Sequence, residues 1–401
     1  MPNTDADVII VGAGPAGSMA AYHLASRGIP VLVLEKSAFP RYKVCGGGLT
    51  HKIIASVPYD LSPVIENEIH SIRFSSKFAD VYTRTNDLPL MYCTMRGRLD
   101  EFMLEQAVKA GAKHAVAKVK DLRRSSGLFE LICDGKVYKT RMVLGADGAS
   151  GIVASASGLK KNIEKGLAWE AEITAGPDIL EKYKSTVFLD WGTFPGGYGW
   201  VFPKKDHFSA GVGGPASLAS QMMPYYLKFM ASGGLFEVSK DLTDPALVPG
   251  TISLKSWPIP VRISRENFHS DGVMVLGDAA GLTDPLTGEG IYYAVKSGEL
   301  AAMAAQEYLS GKSDALKNYS DKVNSELMTE LLEAQKISNI FNVFPARIHH
   351  FVRDKERAWK AFGKILRGER SYKDVKNGFG HWKSAWNLVS AISMLLRRIT
   401  Q

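Results

Sequence analysis

Cysteine is scarce in this sequence, because the 401 residues contain only Cys45, Cys93 and Cys133. A sparse and odd-numbered set excludes a disulfide framework, and we expect a reduced, cytoplasmic protein. No basic segment precedes the first apolar run, "DVIIVGAG", so we expect no signal peptide. No apolar run reaches the roughly 18 residues that predict a membrane-spanning helix. The His349–His350 pair has no metal-ligand spacing to other residues, so we predict no metal site.

Acidic residues are rare near the C-terminus. Residues 341–401 contain 13 Lys or Arg and 4 Asp or Glu, so the net charge of this segment is +9. That is more than the net charge of the whole chain, which is +8. A basic region of this kind predicts an anionic partner, such as a membrane surface or an acidic head group. We predict no nucleic-acid partner, because aromatic residues are not interleaved with these basic residues on a recognisable nucleic-acid fold.

Within this basic region, the segment "KSAWNLVSAISMLLRRIT" (383–400) has apolar residues at helical spacing. A helix lying on the inner face of a membrane has this pattern, and it would give the protein a peripheral membrane contact. A helix that docks on its own protein and exposes a basic face has the same pattern. The sequence leaves both interpretations open.

Glycine is abundant, and its spacing is informative near the N-terminus. The segment "DVIIVGAGPAGSMAAYHLASRGIPVLVLEK" (7–36) predicts a strand, a glycine turn, a helix and a second strand. Gly12, Gly14 and Gly17 permit a tight turn, close approach of a pyrophosphate, and close packing of helix on strand. Glu35 follows Gly17 by 18 residues, where a carboxylate can accept ribose hydroxyls. Together with the neighbouring Ala16 and Lys36, these residues predict a dinucleotide site.

The rest of the chain predicts a discontinuous organisation. We expect a Rossmann-like α/β domain formed by residues 1–56, 91–160 and 266–320. Residues 62–93 and 166–214 alternate in polarity, which predicts antiparallel strands. We therefore expect residues 57–90 and 161–265 to form an inserted antiparallel β-sheet domain that binds substrate. Residues 321–401 are predicted to form a basic helical region.

Two later segments favour FAD over NAD as the dinucleotide. "VLGADGAS" (143–150) and "VMVLGDAAGLTDPLTGEGI" (273–291) each end a predicted buried strand with glycine and aspartate. The second segment resembles the ribityl-binding segment of p-hydroxybenzoate-hydroxylase-like flavoproteins, and "MRGRLDEFML" resembles the helix of that class that begins with an arginine. The resemblance implies FAD contacts from Arg96, Val119, Asp147, Gly148, Gly277, Asp278, Pro285, Gly288, Gly290 and Ile291. Ala154 stands where that class has an arginine, so the arginine's contact is missing here.

The stretch "FPGGYGWVFPK" (194–204) predicts one wall of a binding site. Tyr198, Trp200 and Phe202 alternate along a strand, so they share one face of a sheet. Aromatic residues at this spacing form either ordinary core packing or a wall beside a flat, apolar ligand. Lys204 and Lys205 follow; we expect a solvated strand end there, although they could also meet a substrate phosphate, as could Arg41 and Lys43.

Together with "KVCGGGL" (43–49), this strand resembles the motifs of the geranylgeranyl reductase family. The resemblance covers roughly residues 5–310, motif by motif. It implies an FAD-dependent reductase that saturates C=C bonds of a polyprenyl chain on a lipid, a diphosphate, a quinone or a chlorophyll-type molecule. Cys45, Gly46 and Gly47 are then expected beside the flavin ring, since residues without a Cβ let the backbone approach closely.

An isolated alkene makes the implied reaction demanding, because no carbonyl polarises the double bond. A hydride added to one carbon needs a proton on the other, where positive charge develops. We expect Tyr198, Trp200 and Phe202 to stabilise that charge through their π faces. Cys45, or a water near it, is a candidate proton donor. A thiol that serves only as a small apolar side chain is the alternative interpretation.

Other functions remain open at this point. An FAD-dependent monooxygenase or halogenase has a similar fold, and halogenases carry a Trp-x-Trp-x-Ile-Pro strand. Tyr198 and Phe202 depart from that strand and favour the reductase. A non-catalytic flavin- or lipid-binding protein is a third candidate. The sequence has no second nucleotide-binding motif, so the electron donor is either NAD(P)H bound transiently or a ferredoxin-like carrier.

Overall fold

The computed structural model describes residues 4–232 and 251–377. The predicted first unit is present as strand β1 (Ala6–Val11), helix α1 (Pro15–Ala25) and strand β2 (Val31–Glu35). Both strands are apolar and almost entirely buried, and Pro15 occupies the first turn of α1, where a missing N–H costs nothing. β1 and β2 pair in parallel, as the crossover through α1 requires.

The first sheet has eight strands and is mainly parallel. Besides β1 and β2, its strands are β8 (Lys113–Val116), β9 (Asp121–Ser125), β10 (Leu128–Cys133), β11 (Lys136–Gly145), β17 (His269–Ser270) and β18 (Val273–Val275). β1 lies near the centre of the sheet, between β2 and β11, and β9 and β10 extend β11 as an antiparallel branch. Helices α3 (Arg96–Lys109), α4 (Val153–Ala156) and α7 (Ile291–Leu309) accompany it, with α1 packed against α3 and α7. The Rossmann-like α/β prediction is thereby confirmed.

The second sheet has seven strands. They are β5 (Ser71–Ser76), β6 (Ala79–Thr85), β12 (Ile163–Thr174), β13 (Thr186–Trp191), β14 (Tyr198–Pro203), β15 (His207–Pro215) and β16 (Thr251–Arg262). Their order across the sheet is β16-β12-β15-β14-β13-β5-β6, and only β5 and β13 pair in parallel. Helices α5 (Pro177–Tyr183) and α6 (Ala219–Ser232) accompany this sheet, and α6 packs on one face. The opposite face remains available for the site.

A small third sheet connects these two parts. Strands β3 (Gly48–Leu49), β4 (Ile65–Ile69) and β7 (Met91–Thr94) pair in the order β3-β7-β4, and helix α2 (His51–Ser56) follows β3 directly. Because β3 continues the Cys45 segment, pairing with β7 fixes where that segment lies.

Helices beyond residue 310 pack on both sheets. α8 (Ala315–Lys322) and a π-helical stretch (Val323–Met328) pack against α7, beside the first sheet. α9 (Thr329–Val343), α10 (Pro345–Asp354) and α11 (Glu356–Leu366) cover the free face of the second sheet, and α12 (Tyr372–Asn377) packs against α9. Aromatic contacts hold α9 and α11 in place, since Phe341 packs on Trp191, and Trp359 and Phe362 pack on Phe74. The predicted amphipathic segment 383–400 lies outside the described residues. Among the described helices, none has the length and apolar character needed to cross a membrane.

Candidate active site

The glycine turn after β1 can form only with glycine at its first position. Gly12 has a φ of +101°, and a Cβ there would lie 2.3 Å from the carbonyl oxygen of Ala146. Gly14 is the N-cap of α1 and has no side chain, so no side chain caps the N–H groups in the first turn of the helix. Gly17 packs against the Gly12 carbonyl instead of lining the cavity. The turn therefore presents backbone donors and a helix N-terminus, which suit a pyrophosphate.

Glu35 completes this end of the site from the last position of β2. Its Oε2 accepts a hydrogen bond from the Ala13 backbone N–H at 2.8 Å, and Arg41 lies 3.6 Å from Oε1. The carboxylate is nearly inaccessible to solvent yet lines the cavity. It therefore fixes the glycine turn and faces the position that the sequence assigns to a ribose.

One cavity of about 850 Å³ brings most of the predicted cofactor residues together. Gly277 is set apart from its wall, since it packs between Ala16 and Ala294, where α1 and α7 approach. The predicted residues that line the cavity are Gly12, Gly14, Ala16, Glu35, Lys36, Cys45, Gly46, Gly47, Arg96, Val119, Asp147, Gly148, Asp278, Pro285, Gly288, Gly290 and Ile291.

The three glycines after Cys45 make room for other parts of the protein. Gly47 has a φ of +67°, and a Cβ there would lie 2.0 Å from the Thr94 carbonyl oxygen. A Cβ at Gly46 or Gly48 would come within 3.0–3.1 Å of the Phe202 ring. We expect glycines here to let the backbone approach a flavin, whereas in the structure they let β7 and β14 approach this backbone closely.

The Cys45 sulfur faces two hydrogen-bond donors. The Gly47 backbone N–H donates to it at 3.4 Å, and the guanidinium of Arg96 also hydrogen-bonds to it. Arg96 opens α3 and is held by Asp100 through bonds of 2.8 and 2.9 Å. Burial opposes the charged form of Arg96, yet Asp100 and Cys45 raise its pKa above the ordinary value. The sulfur thus has a fixed positive charge beside it.

Tyr198, Trp200 and Phe202 share one face of β14 and all line the cavity, as predicted. The Tyr198 and Trp200 rings lie 5.4 Å apart. The Tyr198 hydroxyl donates to the Thr287 carbonyl oxygen at 3.3 Å, which joins the aromatic strand to the loop containing Pro285 and Gly288. Burial raises the pKa of Tyr198 above its ordinary value, so this hydroxyl stays protonated at neutral pH.

The expectation of a solvated strand end after Pro203 is wrong for Lys204. This residue is 2% exposed, and its ammonium donates to the carbonyl oxygens of Gly46 at 2.6 Å and Thr94 at 2.9 Å. It binds backbone and does not face a substrate phosphate. Lys205, by contrast, is exposed. The Cys45 segment covers the end of β14, a contact between residues far apart in sequence.

Glu170 is a second buried group that the sequence analysis missed. It lies on β12 with no solvent exposure and accepts hydrogen bonds from the Cys45 backbone N–H and the Trp200 indole. Burial, and next the charge of Glu172, raise its pKa to about 7. In "LAWEAEIT" both acids alternate with apolar residues, the pattern of a solvated strand face.

Beyond the aromatic strand, the cavity continues as an apolar passage between the second sheet and helices α9–α11. Its walls include Phe74, Leu189 and Trp191 from the sheet and Phe341, Phe362 and Leu366 from the helices. Phe351, also on the wall, is 57% exposed, so the passage reaches the surface there. Within residues 4–232 and 251–377, no three Asp, Glu, His or Cys side chains form a candidate metal site.

The glycine cradle fits FAD, since Gly14 and the first turn of α1 line the cavity and no side chain caps the N–H groups of that turn. Gly12, Gly14 and Glu35 would hold its phosphate and ribose groups, while Asp278 and the 285–290 loop lie further along the same cavity. Lys43 and Arg96 line this region too and supply positive charge. Cys45 and Tyr198 line the same cavity, so a ring system bound at this end would lie beside both.

Comparisons with known proteins agree with this geometry. Residues 5–54 match the family model described as FAD binding domain. The chain is 32% identical over 327 residues to the digeranylgeranylglycerophospholipid reductase of Methanocaldococcus jannaschii, covering 78% of this chain and 81% of that protein. It is 32% identical over 323 residues to the geranylgeranyl diphosphate reductase of Rhodobacter capsulatus, covering 78% of each.

A solved structure has the same fold. A geranylgeranyl bacteriochlorophyll reductase-like protein from Thermoplasma acidophilum superposes with a TM-score of 0.73 at 22% identity, covering 91% of this chain and 97% of that one. Fold and site thus define an FAD-dependent oxidoreductase. Within that class, the chain belongs to the geranylgeranyl reductase family.

Proposed function

We propose that this protein reduces C=C bonds of a geranylgeranyl or longer polyprenyl chain. The chain would be carried on a lipid, a diphosphate, a quinone or a chlorophyll-type molecule. The observation that carries the proposal is the apolar passage, which runs from the Cys45 turn and Trp200 to the surface near Phe351. A long, flexible hydrocarbon fits such a passage, because binding there removes its apolar surface from contact with water, which is favourable.

The aromatic wall suits the charge that the reaction creates. Reduced FAD, when bound, supplies a hydride to one carbon of the double bond. Tyr198 and Trp200 line the cavity, where their π faces would stabilise positive charge at the other carbon. The passage also excludes water, which would otherwise capture that carbon.

Cys45 is our candidate for the proton donor. Its thiol would give its proton to the carbon opposite the one that accepts the hydride, leaving a saturated bond and a thiolate. The Gly47 N–H and the Arg96 guanidinium already point at the sulfur, so they would stabilise that thiolate. Solvent then returns the proton, and NAD(P)H or a ferredoxin-like carrier returns the electrons.

The test is anaerobic incubation of chemically reduced holoenzyme with candidate prenyl lipids, followed by mass spectrometry. A gain of two hydrogens per reduced double bond supports the proposal. Oxygen is absent, so a monooxygenase or halogenase would give no product. Retention of lipid and FAD without any flavin reoxidation would instead indicate a non-catalytic binding protein.

A membrane contact would bring the enzyme to such substrates. The helices at the mouth of the passage carry the exposed Phe351, and their residues 345–360 contain more basic side chains, among them Arg347, Lys355, Arg357 and Lys360, than acidic ones, which are Asp354 and Glu356. Basic residues around an exposed aromatic side chain favour peripheral binding to anionic lipid. Co-sedimentation with vesicles containing anionic lipid, compared with neutral vesicles, tests this contact.

A further inference from the structure

Glu170 lies between the Cys45 turn and the Trp200 strand, the two walls of the cavity where we place the reaction. The neighbouring position on β12, Ala168, contributes to the cavity wall, whereas the Glu170 carboxylate lies against the Cys45 backbone. The side chain has no exposure to solvent. Burying a carboxylate costs free energy unless hydrogen bonds or an opposite charge offset the loss of water, so the contacts of Glu170 need an explanation.

Each oxygen of the carboxylate binds a different wall. Oε1 accepts the Cys45 backbone N–H at 2.7 Å, and Oε2 accepts the Trp200 indole N–H at 3.2 Å. The Cys45 turn leads into one sheet through β3, whereas the Trp200 strand belongs to another. One side chain therefore joins the candidate proton donor's backbone to the aromatic wall.

The strand register makes this bridge achievable. Trp200 on β14 and Glu170 on β12 both pair with Gly211 on β15, so the three positions form a row across the sheet. Gly211 has no side chain, and a Cβ there would lie 2.4 Å from a ring carbon of Trp200. The indole can thus extend across β15 to reach the carboxylate.

Lys204 holds the same turn from its other side. Its ammonium donates to the Gly46 carbonyl oxygen at 2.6 Å, while Glu170 accepts from the Cys45 N–H. The turn is therefore fixed at an N–H by a buried acid and at a C=O by a buried amine. Charge-assisted bonds of this kind are stronger than neutral ones.

We propose that Glu170 is a positioning residue: its ionised carboxylate ties the Cys45 turn to Trp200 and sets the gap across which the alkene is protonated. The inference rests on the proposed function, because it assigns the role through Cys45. A protonated carboxyl would bind both walls less well, since one oxygen would then carry a hydrogen and lose acceptor strength.

The charge state of Glu170 changes near neutral pH. Burial, and next Glu172, raise its pKa to about 7, against the lowering effect of its bonds and of Lys204. Glu172 in turn lies 2.8 Å from His207, which links it toward the surface. The groups that face Glu170 from the surrounding elements are Cys45, Glu172, Tyr198, Lys204, Tyr226 and Lys255. Ionisation, and with it the reduction rate, should rise as pH increases through this range.

The experiment measures single-turnover oxidation of the reduced holoenzyme by a prenyl substrate across pH, for wild type, Glu170→Ala and Glu170→Gln. We expect about a ten-fold lower rate for Glu170→Ala at alkaline pH, with FAD content and substrate affinity retained. Glu170→Gln keeps one acceptor oxygen, so it should keep part of the rate and lose the transition near neutral pH.

Glu172→Gln is the matched control, because Glu172 bonds to Ser209 and not to either cavity wall. It removes a repelling charge, so it should keep the alkaline rate and move the transition to lower pH. Wild-type rates and an unchanged pH profile in both Glu170 variants would overturn the proposal.

A second measurement does not depend on turnover. Labelling of Cys45 by iodoacetamide, followed by mass spectrometry, reports how the turn is held. At alkaline pH, Glu170→Ala should change that labelling rate about five-fold or more, as expected when a buried charged bond is lost. Glu172→Gln should not change it there, because Glu170 is ionised at that pH with or without Glu172. Unchanged labelling in Glu170→Ala would count against the inference. Wild-type protein that never reduces an alkene would defeat the proposed function and leave the labelling result to decide the role of Glu170.

Discussion

At its β1 end the cavity takes its glycine turn and Glu35 from one continuous segment, residues 6–36, which residues 117–119 and 146–152 then complete. The end beside Cys45 and Trp200 is instead assembled from segments around residues 45, 170, 200 and 287. The glycine turn depends on spacing along one βαβ unit, whereas the Cys45 end depends on hydrogen bonds between three sheets and a loop. The difference shows that the glycine turn with Glu35 is encoded locally, while the geometry of the Cys45 end is encoded by packing.

The largest effect should come from breaking the local end. Gly12→Ala places a Cβ 2.3 Å from the Ala146 carbonyl oxygen at a φ that disfavours any side chain. We expect FAD content, measured by absorbance, to fall below about a tenth of wild type. Gly28→Ala is the control, because Gly28 also has a positive φ but no atom within 4 Å. Full FAD content in Gly12→Ala would contradict the assigned cradle.

Removing the candidate proton donor should affect the reaction but not FAD binding. Cys45→Ala should keep FAD and lower the single-turnover rate by about 100-fold, the usual contribution of a positioned acid. Cys133→Ala, a buried cysteine on β10 outside the cavity wall, is the matched control. If both variants reduce substrate at the wild-type rate, Cys45 has only a packing role.

Substitution of a buried residue at the Cys45 end should lower the free energy of unfolding more than substitution of its exposed neighbour. Lys204→Met leaves the carbonyl oxygens of Gly46 and Thr94 without their donor, and we expect a loss of about 4 kcal/mol in the free energy of unfolding. Lys205→Met, one residue further and exposed, should change it by less than about 0.5 kcal/mol. Chemical denaturation of the holoenzymes measures both, and equal losses would refute the difference between them.

Glu170 predicts a pH dependence of stability with a definite sign. Its pKa is about 7 in the folded protein and near 4.5 when unfolded, so the folded state binds more protons between these values. Its contribution to stability therefore falls as pH rises from about 4.5 to 7, by up to roughly 3 kcal/mol. Glu170→Gln lacks this term, so its stability relative to wild type should increase across that window in denaturant titrations. A constant difference between the two proteins would contradict the raised pKa.

The smallest effect should come from the C-terminal helices. The Tyr372 hydroxyl donates to Asp284 Oδ2 at 2.8 Å, and Asp284 also accepts the backbone N–H groups of Leu286 and Thr287. Tyr372→Phe removes one of these three bonds, so we expect a loss of about 1 kcal/mol with FAD retained. A loss of FAD would show that α12 is part of the cofactor end, contrary to the comparison.

Sequence patterns were sufficient where a motif is local. The Gly12–Gly17 turn, Glu35 and the aromatic face of β14 lie where their spacing predicts, because periodicity and turn chemistry depend on near neighbours. Lys204 and Glu170 were misjudged or missed for the opposite reason. Their patterns are those of a strand end and a solvated face, and it is contact with distant residues, among them the Cys45 segment more than 120 positions away, that buries them.

The amino-acid sequence alone therefore determined the βαβ unit, the dinucleotide site and the alignment of three aromatic rings, since each follows from residues within a few positions of one another. The tertiary structure decided which polar groups became buried at the Cys45 turn and which helices closed the apolar passage. Burial depends on what covers a surface, and that cover comes from distant parts of the chain.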